Sequence, residues 1–482
     1  MADAPTAREQ WNIVVVVADT LRTAFLGAYG NDWIRTPALD RFASQSMRFT
    51  RAHAESLPTI PTRRTLHSGR RAFPFSDYRP VPWDNVYIPG WQPLSPEEST
   101  VAETLAGRGY HTGFFADVPH YFVPGMNFTR GFRQWEFVRG QSEDRYNATA
   151  AADPAQLSRY LGGEERIRAH LVNVQPRQPE ETWPTARTFR SAVQFLEQNR
   201  GRSPFYLYVD SFTPHETWEA PLHYYDLYGS RDEREPLSIT VPYGPLDQHP
   251  HIEARLPSIR ANYAGLVTMV DTWFGRLLDT LDRLDLSAST LVIFLSDHGT
   301  NFADNPERIT GKPANAMYPG TMSIPLMMRH PLGDGAGKVC DELVYTLDVP
   351  ATILAASGAD AADSIEGQNL LPLAEGAPGF QSREYLTCRY GNSLWYRDSK
   401  SWCFGDIGIE KSGLRRDLTL LNPRLFDLED DPDCSRDIAA TTAERISLAV
   451  KRILEDAAGQ VAPYTRKRTT DAIGRPQFTR EL

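Results

Sequence analysis

Apolar residues gather in short unbroken runs at three places along the chain. Asn12-Ile-Val-Val-Val-Val-Ala18 is a β-branched run of the kind that forms a strand covered on both faces, as in a parallel sheet. Pro204-Phe-Tyr-Leu-Tyr-Val209 and Ser289-Thr-Leu-Val-Ile-Phe-Leu295 repeat the pattern. Polar groups follow each run at once: Asp19-Thr20, Asp210, and Ser296-Asp297-His298-Gly299. Open α/β sheets hold their ligands at the carboxyl ends of such strands.

Between the runs the period lengthens. Thr36-Pro-Ala-Leu-Asp-Arg-Phe-Ala43 reads as a helix with a Thr cap and Pro in its first turn. Residues 185–199 are amphipathic, and 262–284 place Leu266, Val267, Val270, Phe274, Leu277, Leu278 and Leu281 at spacings of three and four. That helix leads straight into the third strand, the order of a wound α/β sheet. Residues 345–357 predict another helix, closed by Gly358. Residues 74–97, 213–258 and 300–322, rich in Pro, Gly, Asn and aromatic side chains, read as long loops, and loops of that length are often functional. Pro372 and Glu375-Gly-Ala-Pro-Gly379 break the pattern. Short strand-like pieces follow at 384–390, 393–397, 401–404 and 424–428, then a helix at 442–457 and an extended tail. The expectation is an α/β catalytic domain over residues 1–375 and a smaller C-terminal α+β subdomain over 376–482.

Composition narrows the function. The 482 residues are 41% hydrophobic and 23% charged, enough for a substantial core. A net charge of -10 argues against a nucleic-acid partner but allows a small anionic substrate in a local basic pocket. Cys340, Cys388, Cys403 and Cys434 are scattered and form no CxxC pair, so reduced thiols are expected. No apolar run approaches the ~18 residues of a membrane span. Met1–Trp11 is polar and lacks a leader's apolar segment, which makes the cytoplasm the default expectation. The pattern does not specify whether the chain forms a homo-oligomer.

Four groups of residues could carry chemistry. Asp19, Asp297 and His298 offer carboxylate and imidazole ligands suited to zinc, manganese or a related divalent ion, although Asp-His-Gly alone is also a common turn. In Ser56-Leu-Pro-Thr59-Ile-Pro61-Thr-Arg63-Arg64 a hydroxyl precedes an apparent helix start with two guanidinium groups, which is either an anion site or a capped helix. His215, in a Pro-rich loop after the second strand, could protonate a leaving group or simply pack on Trp218. Lys312 is either an anion clamp or an exposed lysine.

In order and spacing these segments resemble the sulfatase family of the alkaline phosphatase superfamily. The likeness runs from residue 11 to about 440. It includes Asn12–Arg22, Gly27-Ala-Tyr-Gly30, Thr36–Arg41, the Thr59-x-Pro-x-Arg63 signature and Pro214-His215. It continues through Ser296-Asp-His-Gly299, Lys312 with Ser323-Ile-Pro-Leu326, Thr346–Leu354 and Leu425-Phe-Asp-Leu428. The resemblance implies a large, mostly parallel mixed sheet sandwiched by helices. It implies one divalent metal ion, with manganese or zinc favoured and calcium admissible, bound by Asp19, Asp297, His298 and the Thr59 oxygen. It further implies Thr59 as nucleophile, Arg63 beside it, and His215, Lys312 and His120 near the transferred group.

The departures are specific. Thr59 stands where sulfatases carry the Cys or Ser that becomes formylglycine, and its methyl group blocks the aldehyde. Thr20 replaces the family's second aspartate and His298 an Asn. The Gly-Lys-Trp-His segment becomes Ala116-Asp-Val-Pro-His120, without its lysine. These changes resemble the phosphonate monoesterase and phosphodiesterase relatives. The expected activity is hydrolysis of a phosphodiester, phosphonate monoester or sulfate ester through a covalent Thr59 intermediate. The alternatives are a sulfatase that works without formylglycine and a silent binding scaffold. Aromatic residues in the long loops, with Arg139-Gly-Gln141 and Tyr146, suggest an organic leaving group.

Overall fold

Alternation along the first apolar run decides the layering. Val14, Val16 and Ala18 point to one face of the sheet and Ile13, Val15 and Val17 to the other, all completely buried. Each large side chain so covered contributes about 1.5–3 kcal/mol. A computed structural model of the chain describes residues 10–461 apart from 76–87, 142–143, 145, 147–152, 175–178, 360–364 and 408–417, and the backbone of 466–470 and 476–480.

In chain order the principal strands are β1 (Asn12–Ala18), β2 (Met47–Phe49), β3 (Ser56–Leu57), β4 (His111–Ala116), β5 (Gln134–Phe137), β6 (Phe205–Ser211), β7 (Thr290–Leu295), β8 (Leu326–Arg329) and β9 (Val339–Cys340). Then come β10 (Tyr385–Tyr390), β11 (Ser393–Asp398), β12 (Ser401–Ile407) and β13 (Leu420–Asp427). The principal helices are α1 (Pro37–Ser44), α2 (Thr59–Ser68), α3 (Val101–Gly107), α4 (Pro184–Gln198), α5 (Leu256–Arg283), α6 (Asp348–Ala356) and α7 (Ala443–Asp456). Eight strands make the main sheet in the order β9-β2-β8-β7-β1-β6-β4-β5. From β7 to β5 all neighbours are parallel, while β8 runs antiparallel to both β7 and β2. Helices α1, α4 and α5 cover one face, and α2, α3 and α6 the other. This is the expected mixed, mostly parallel α/β architecture.

Local differences from the sequence pattern have physical causes. Helix α5 starts at Leu256, earlier than the apolar spacing indicated, because Pro257 is tolerated in a first turn. Thr36 places no side-chain oxygen on the α1 backbone. Asp271 of α5 instead accepts from Leu39 N–H at 2.7 Å, so the cap is tertiary. The helix expected from residue 345 begins at Asp348, whose carboxylate accepts from Tyr345 N–H at 2.8 Å, and Val344–Tyr345 pairs as a strand with Ala52–His53. Residues 213–258 and 300–322 contain short strands and helical turns as well as loop. Half of the 74–97 loop, residues 76–87, lies outside the described residues. The tail carries an antiparallel pair, Arg466–Thr470 with Pro476–Arg480. All four cysteines are free and buried. Among the described residues, no helix is long and apolar enough to cross a membrane.

A second sheet, in the order β13-β12-β11-β10-β3, is built mainly from the C-terminal strands, with α7 packed against it. Its edge strand β3 comes from residues 56–57 and pairs parallel with β10, Ser56 with Arg389 and Leu57 with Tyr390. The chain passes from that edge directly into α2, so the C-terminal sheet helps to fix where α2 begins.

Candidate active site

Parallel pairing aligns the three polar strand endings. Val17 of β1 stands level with Leu295 of β7 and Asp210 of β6, so Asp19, Asp210 and Asp297 emerge at one sheet edge. Ser296 ties β1 to β7: its hydroxyl lies 2.7 Å from the Ala18 carbonyl and accepts from Leu21 N–H at 3.0 Å. Gly299 is required because a Cβ there would come within 2.1 Å of the Gly320 carbonyl oxygen. Thr20 adopts φ 63°, rare for a β-branched residue. It is held by Thr20 N–H donating to Asp297 Oδ1 at 3.0 Å and by its hydroxyl donating to Asp19 Oδ1 at 2.6 Å.

Asp19, Asp297 and His298 form one buried group whose candidate ligand atoms all lie within 4.8 Å of one another. His298 Nδ1 is 2.9 Å from the Gly299 carbonyl, which places the proton there and leaves Nε2 as a lone pair. His298 Nε2 and Asp19 Oδ2 have no hydrogen-bond partner despite complete burial. Burial, with Asp297 alongside, pushes the Asp19 carboxyl well above the usual carboxylate range. Burial also acts against ionised Asp297, but His298 and Arg63 outweigh it and hold that carboxyl below the range. Burial pushes His298 down to about 4, so the imidazole is neutral at pH 7. Two carboxylates, a neutral imidazole and two orphaned donor atoms fit a divalent cation.

Helix α2 begins at Thr59 itself, four residues earlier than the arginines suggested, and ends at Gly69 in the left-handed region. Thr59 is almost fully buried, and its carbonyl accepts from Arg63 Nη1 at 3.3 Å. The same Nη1 donates to Asp297 Oδ2, while Nη2 lies 3.0 Å from Asp19 Oδ2. Thr59 therefore sits one helical turn from a guanidinium that touches both candidate metal carboxylates. Arg64 turns away to the Gly90 carbonyl at 3.2 Å.

The second cluster joins His215, Glu216 and Lys312. Lys312 is buried rather than exposed. Its Nζ donates to Glu216 Oε2 at 2.9 Å and lies 2.9 Å from His215 Nε2 and 3.4 Å from Thr20 Oγ1. His215 stacks on Phe212, with ring centroids 4.1 Å apart, rather than on Trp218. Burial and then Lys312 push the His215 imidazole well below its ordinary value. Burial opposes ionised Glu216, but Lys312 and His215 outweigh it and keep the carboxylate charged. His120 stands edge-on to Trp91 at 4.8 Å and to Phe212 at 6.1 Å, one ring removed from His215.

Several partners were not singled out by the sequence pattern. Asp210, which follows the second apolar run, pairs with Arg63. Tyr121 donates to Asp210 Oδ2 at 2.5 Å, and Tyr243 donates to Glu216 Oε1 at 2.7 Å. Asp210 had a signal: a carboxylate in an otherwise apolar strand needs a buried cation. Glu216, beside His215, had a weaker one. Gln141 is a scaffold group, donating to Asp117 Oδ2 at 2.7 Å and Thr213 Oγ1 at 3.1 Å. Tyr146 is exposed beside Arg139 in a cleft of about 480 Å³.

This layout places the protein among the ester hydrolases built on an alkaline phosphatase-like sheet. The chain belongs to the sulfatase family, whose model matches residues 11–359; a second model, N-sulphoglucosamine sulphohydrolase, C-terminal, matches residues 314–458. It is similar to iduronate 2-sulfatase of Homo sapiens, 26% identical over 440 residues that cover 81% of this chain and 74% of the relative. An arylsulfatase of Clostridium perfringens is 25% identical over 94% of this chain and 96% of its own. The phosphonate monoester hydrolase of Agrobacterium radiobacter shares the fold, with TM-score 0.68, 19% identity and coverage of 98% and 100% of the two chains.

Proposed function

We propose that the protein is a divalent-metal-dependent hydrolase that cleaves a phosphodiester or phosphonate monoester with Thr59 as nucleophile. The observation that carries this reading is the buried Asp19–Asp297–His298 group, short of positive charge, one helical turn from Thr59 through Arg63. A cation held by those three side chains would make the Thr59 hydroxyl more acidic and offset charge on the transferred oxygens. Asp19, Asp297 and His298 would hold the cation, and α2 carries Thr59 one turn before Arg63, whose guanidinium reaches both carboxylates. Lys312 Nζ, set against the neutral His215, is the proton source for the leaving oxygen, so the pair acts as one group.

In the first step Thr59 Oγ bonds to phosphorus and its proton goes to solvent, while the phosphorus bond to the leaving oxygen breaks and Lys312 protonates that oxygen. In the second, water attacks phosphorus, the Thr59 ester bond breaks, and the two protons of that water restore the Thr59 hydroxyl and Lys312. A threonine ester lacks the second hydroxyl that would let formylglycine expel the group, so an electrophile open to direct water attack is favoured. A second reading, sulfate ester hydrolysis, is supported by the names of the curated relatives, iduronate 2-sulfatase and arylsulfatase. The division into a catalytic domain over 1–375 and a subdomain over 376–482 belongs to the same proposal, with β3 as the strand linking them. The test is a parallel assay of nitrophenyl sulfate, phosphate, phosphodiester and phosphonate esters with manganese or zinc. Phosphodiester or phosphonate turnover that vanishes in Thr59→Ala supports the first reading. Turnover of sulfate alone selects the second, and undiminished turnover in Thr59→Ala ends both.

A further inference from the structure

Asp210 lies completely buried in β6, between Val17 of β1 and Ala116 of β4. Arg63 is equally buried, and its N–H groups can be counted. Nε donates to Asp210 Oδ2 at 2.9 Å and Nη2 to Asp210 Oδ1 at 2.8 Å, a two-pronged pair. Nη1 donates to Asp297 Oδ2 and to the Thr59 carbonyl. The remaining Nη2 hydrogen is left beside Asp19 Oδ2, 3.0 Å from the nitrogen, without an aligned bond. A guanidinium offers five donors, so four are bonded within the cluster and the fifth faces Asp19. Tyr121 donates to Asp210 Oδ2, and its ring lies 5.6 Å from the Arg63 guanidinium carbon.

We propose that Asp210 is a positioning residue that acts through Arg63: it holds the guanidinium edge-on and neutralises it, so that Asp19 and Asp297 keep their charge for a cation. This rests on the reading that Asp19, Asp297 and His298 bind a divalent ion. When they hold a cation, Asp19 and Asp297 supply two negative charges and the neutral His298 none. With Arg63 balanced by Asp210, both charges remain available. Without the Asp210 carboxylate, Arg63 is balanced only by the two cradle carboxylates, and an entering cation meets a cradle already half neutralised. Arg63 is then a spacer within the cradle and not a contact for the transferred group.

Isothermal titration of the metal-stripped full chain with manganese chloride tests this without any substrate. Asp210→Asn keeps the shape and removes the charge; manganese should bind about 10–100-fold more weakly, the usual consequence of losing an outer partner. The loss should shrink to a few-fold or less when the same change is made in an Arg63→Gln background. An equal loss in both backgrounds would mean that Asp210 acts directly by charge and would overturn the assignment, as would unchanged binding in Asp210→Asn. Should Asp210→Asn fail to fold, Tyr121→Phe removes one hydrogen bond from the carboxylate; a measurable weakening is expected, and unaltered affinity overturns the proposal. Wild-type protein that binds no manganese or zinc refutes the metal reading itself, a result distinct from any of these.

Discussion

The two buried charge clusters at the sheet edge solve opposite problems. Around Arg63 stand three carboxylates and one cation, and two donor atoms remain orphaned. Around Lys312 stand one carboxylate and one cation, with neutral His215 beside them. The first cluster is short of positive charge, and burial makes that shortage costly. The second is balanced as it stands, one ammonium against one carboxylate. The contrast separates a cluster left with unmatched carboxylates from one whose charges pair off. It also shows that a count of charged residues says little until their pairing is known.

The contrast can be broken most directly at Thr59, the proposed nucleophile. Thr59→Ala should lower turnover by about 10⁴-fold or more, as removal of a nucleophile does, while circular dichroism and melting stay near wild type. Next is the balance of the second cluster. Glu216→Ala leaves Lys312 buried without its carboxylate, and urea unfolding should show a loss of about 3–5 kcal/mol, the cost of breaking a buried pair. A loss below about 1 kcal/mol would show that Lys312 finds water or another partner.

The ligand demand of the first cluster is read by calorimetry. Manganese or zinc at 100 times its dissociation constant should stabilise the metal-stripped chain by about 2.7 kcal/mol. Asp297→Asn should abolish that increment, and an increment that survives the change would assign the cation elsewhere.

The most gradual effect, spread over several pH units, concerns a third basic group, which answers burial by staying neutral. His67 of α2 is ringed by Phe114, Tyr121, Phe128, Phe132 and Tyr208, and its Nε2 has no hydrogen-bond partner. Burial, then Arg63, push its imidazole down to about 3. The folded value is depressed, so its contribution to stability is complete above the unfolded value near 6.5 and drains away as pH falls toward 3. Within that window the wild type should lose stability by up to about 1.4 kcal/mol per pH unit from this residue. His67→Phe should flatten the slope between pH 6 and 4, and an unchanged slope would show that His67 is not its source.

Much of this was legible in the chain. The three unbroken apolar runs and the helix before β7 announced a wound sheet, because side chains covered on both faces leave no polar alternation. Asp19, Asp297 and His298 could be grouped because each follows such a run, and the sulfatase-like signature placed Thr59 and Arg63. Asp210, Tyr121 and Glu216 were overlooked as partners because nothing local marks which cation a carboxylate meets. The cap of α1 was misplaced for the same reason, since Asp271 supplies it from a distant helix.

By itself, then, the sequence determined the layers, the parallel core and the residue types gathered at one sheet edge, since periodicity and burial are properties of short segments. Only the tertiary structure decided that Arg63 is balanced by Asp210, that Lys312 is buried against Glu216 and His215, and that a strand before Thr59 belongs to the C-terminal sheet. Those outcomes depend on which groups close packing brings within hydrogen-bond reach, and in a low-dielectric interior that pairing fixes the charge each one carries.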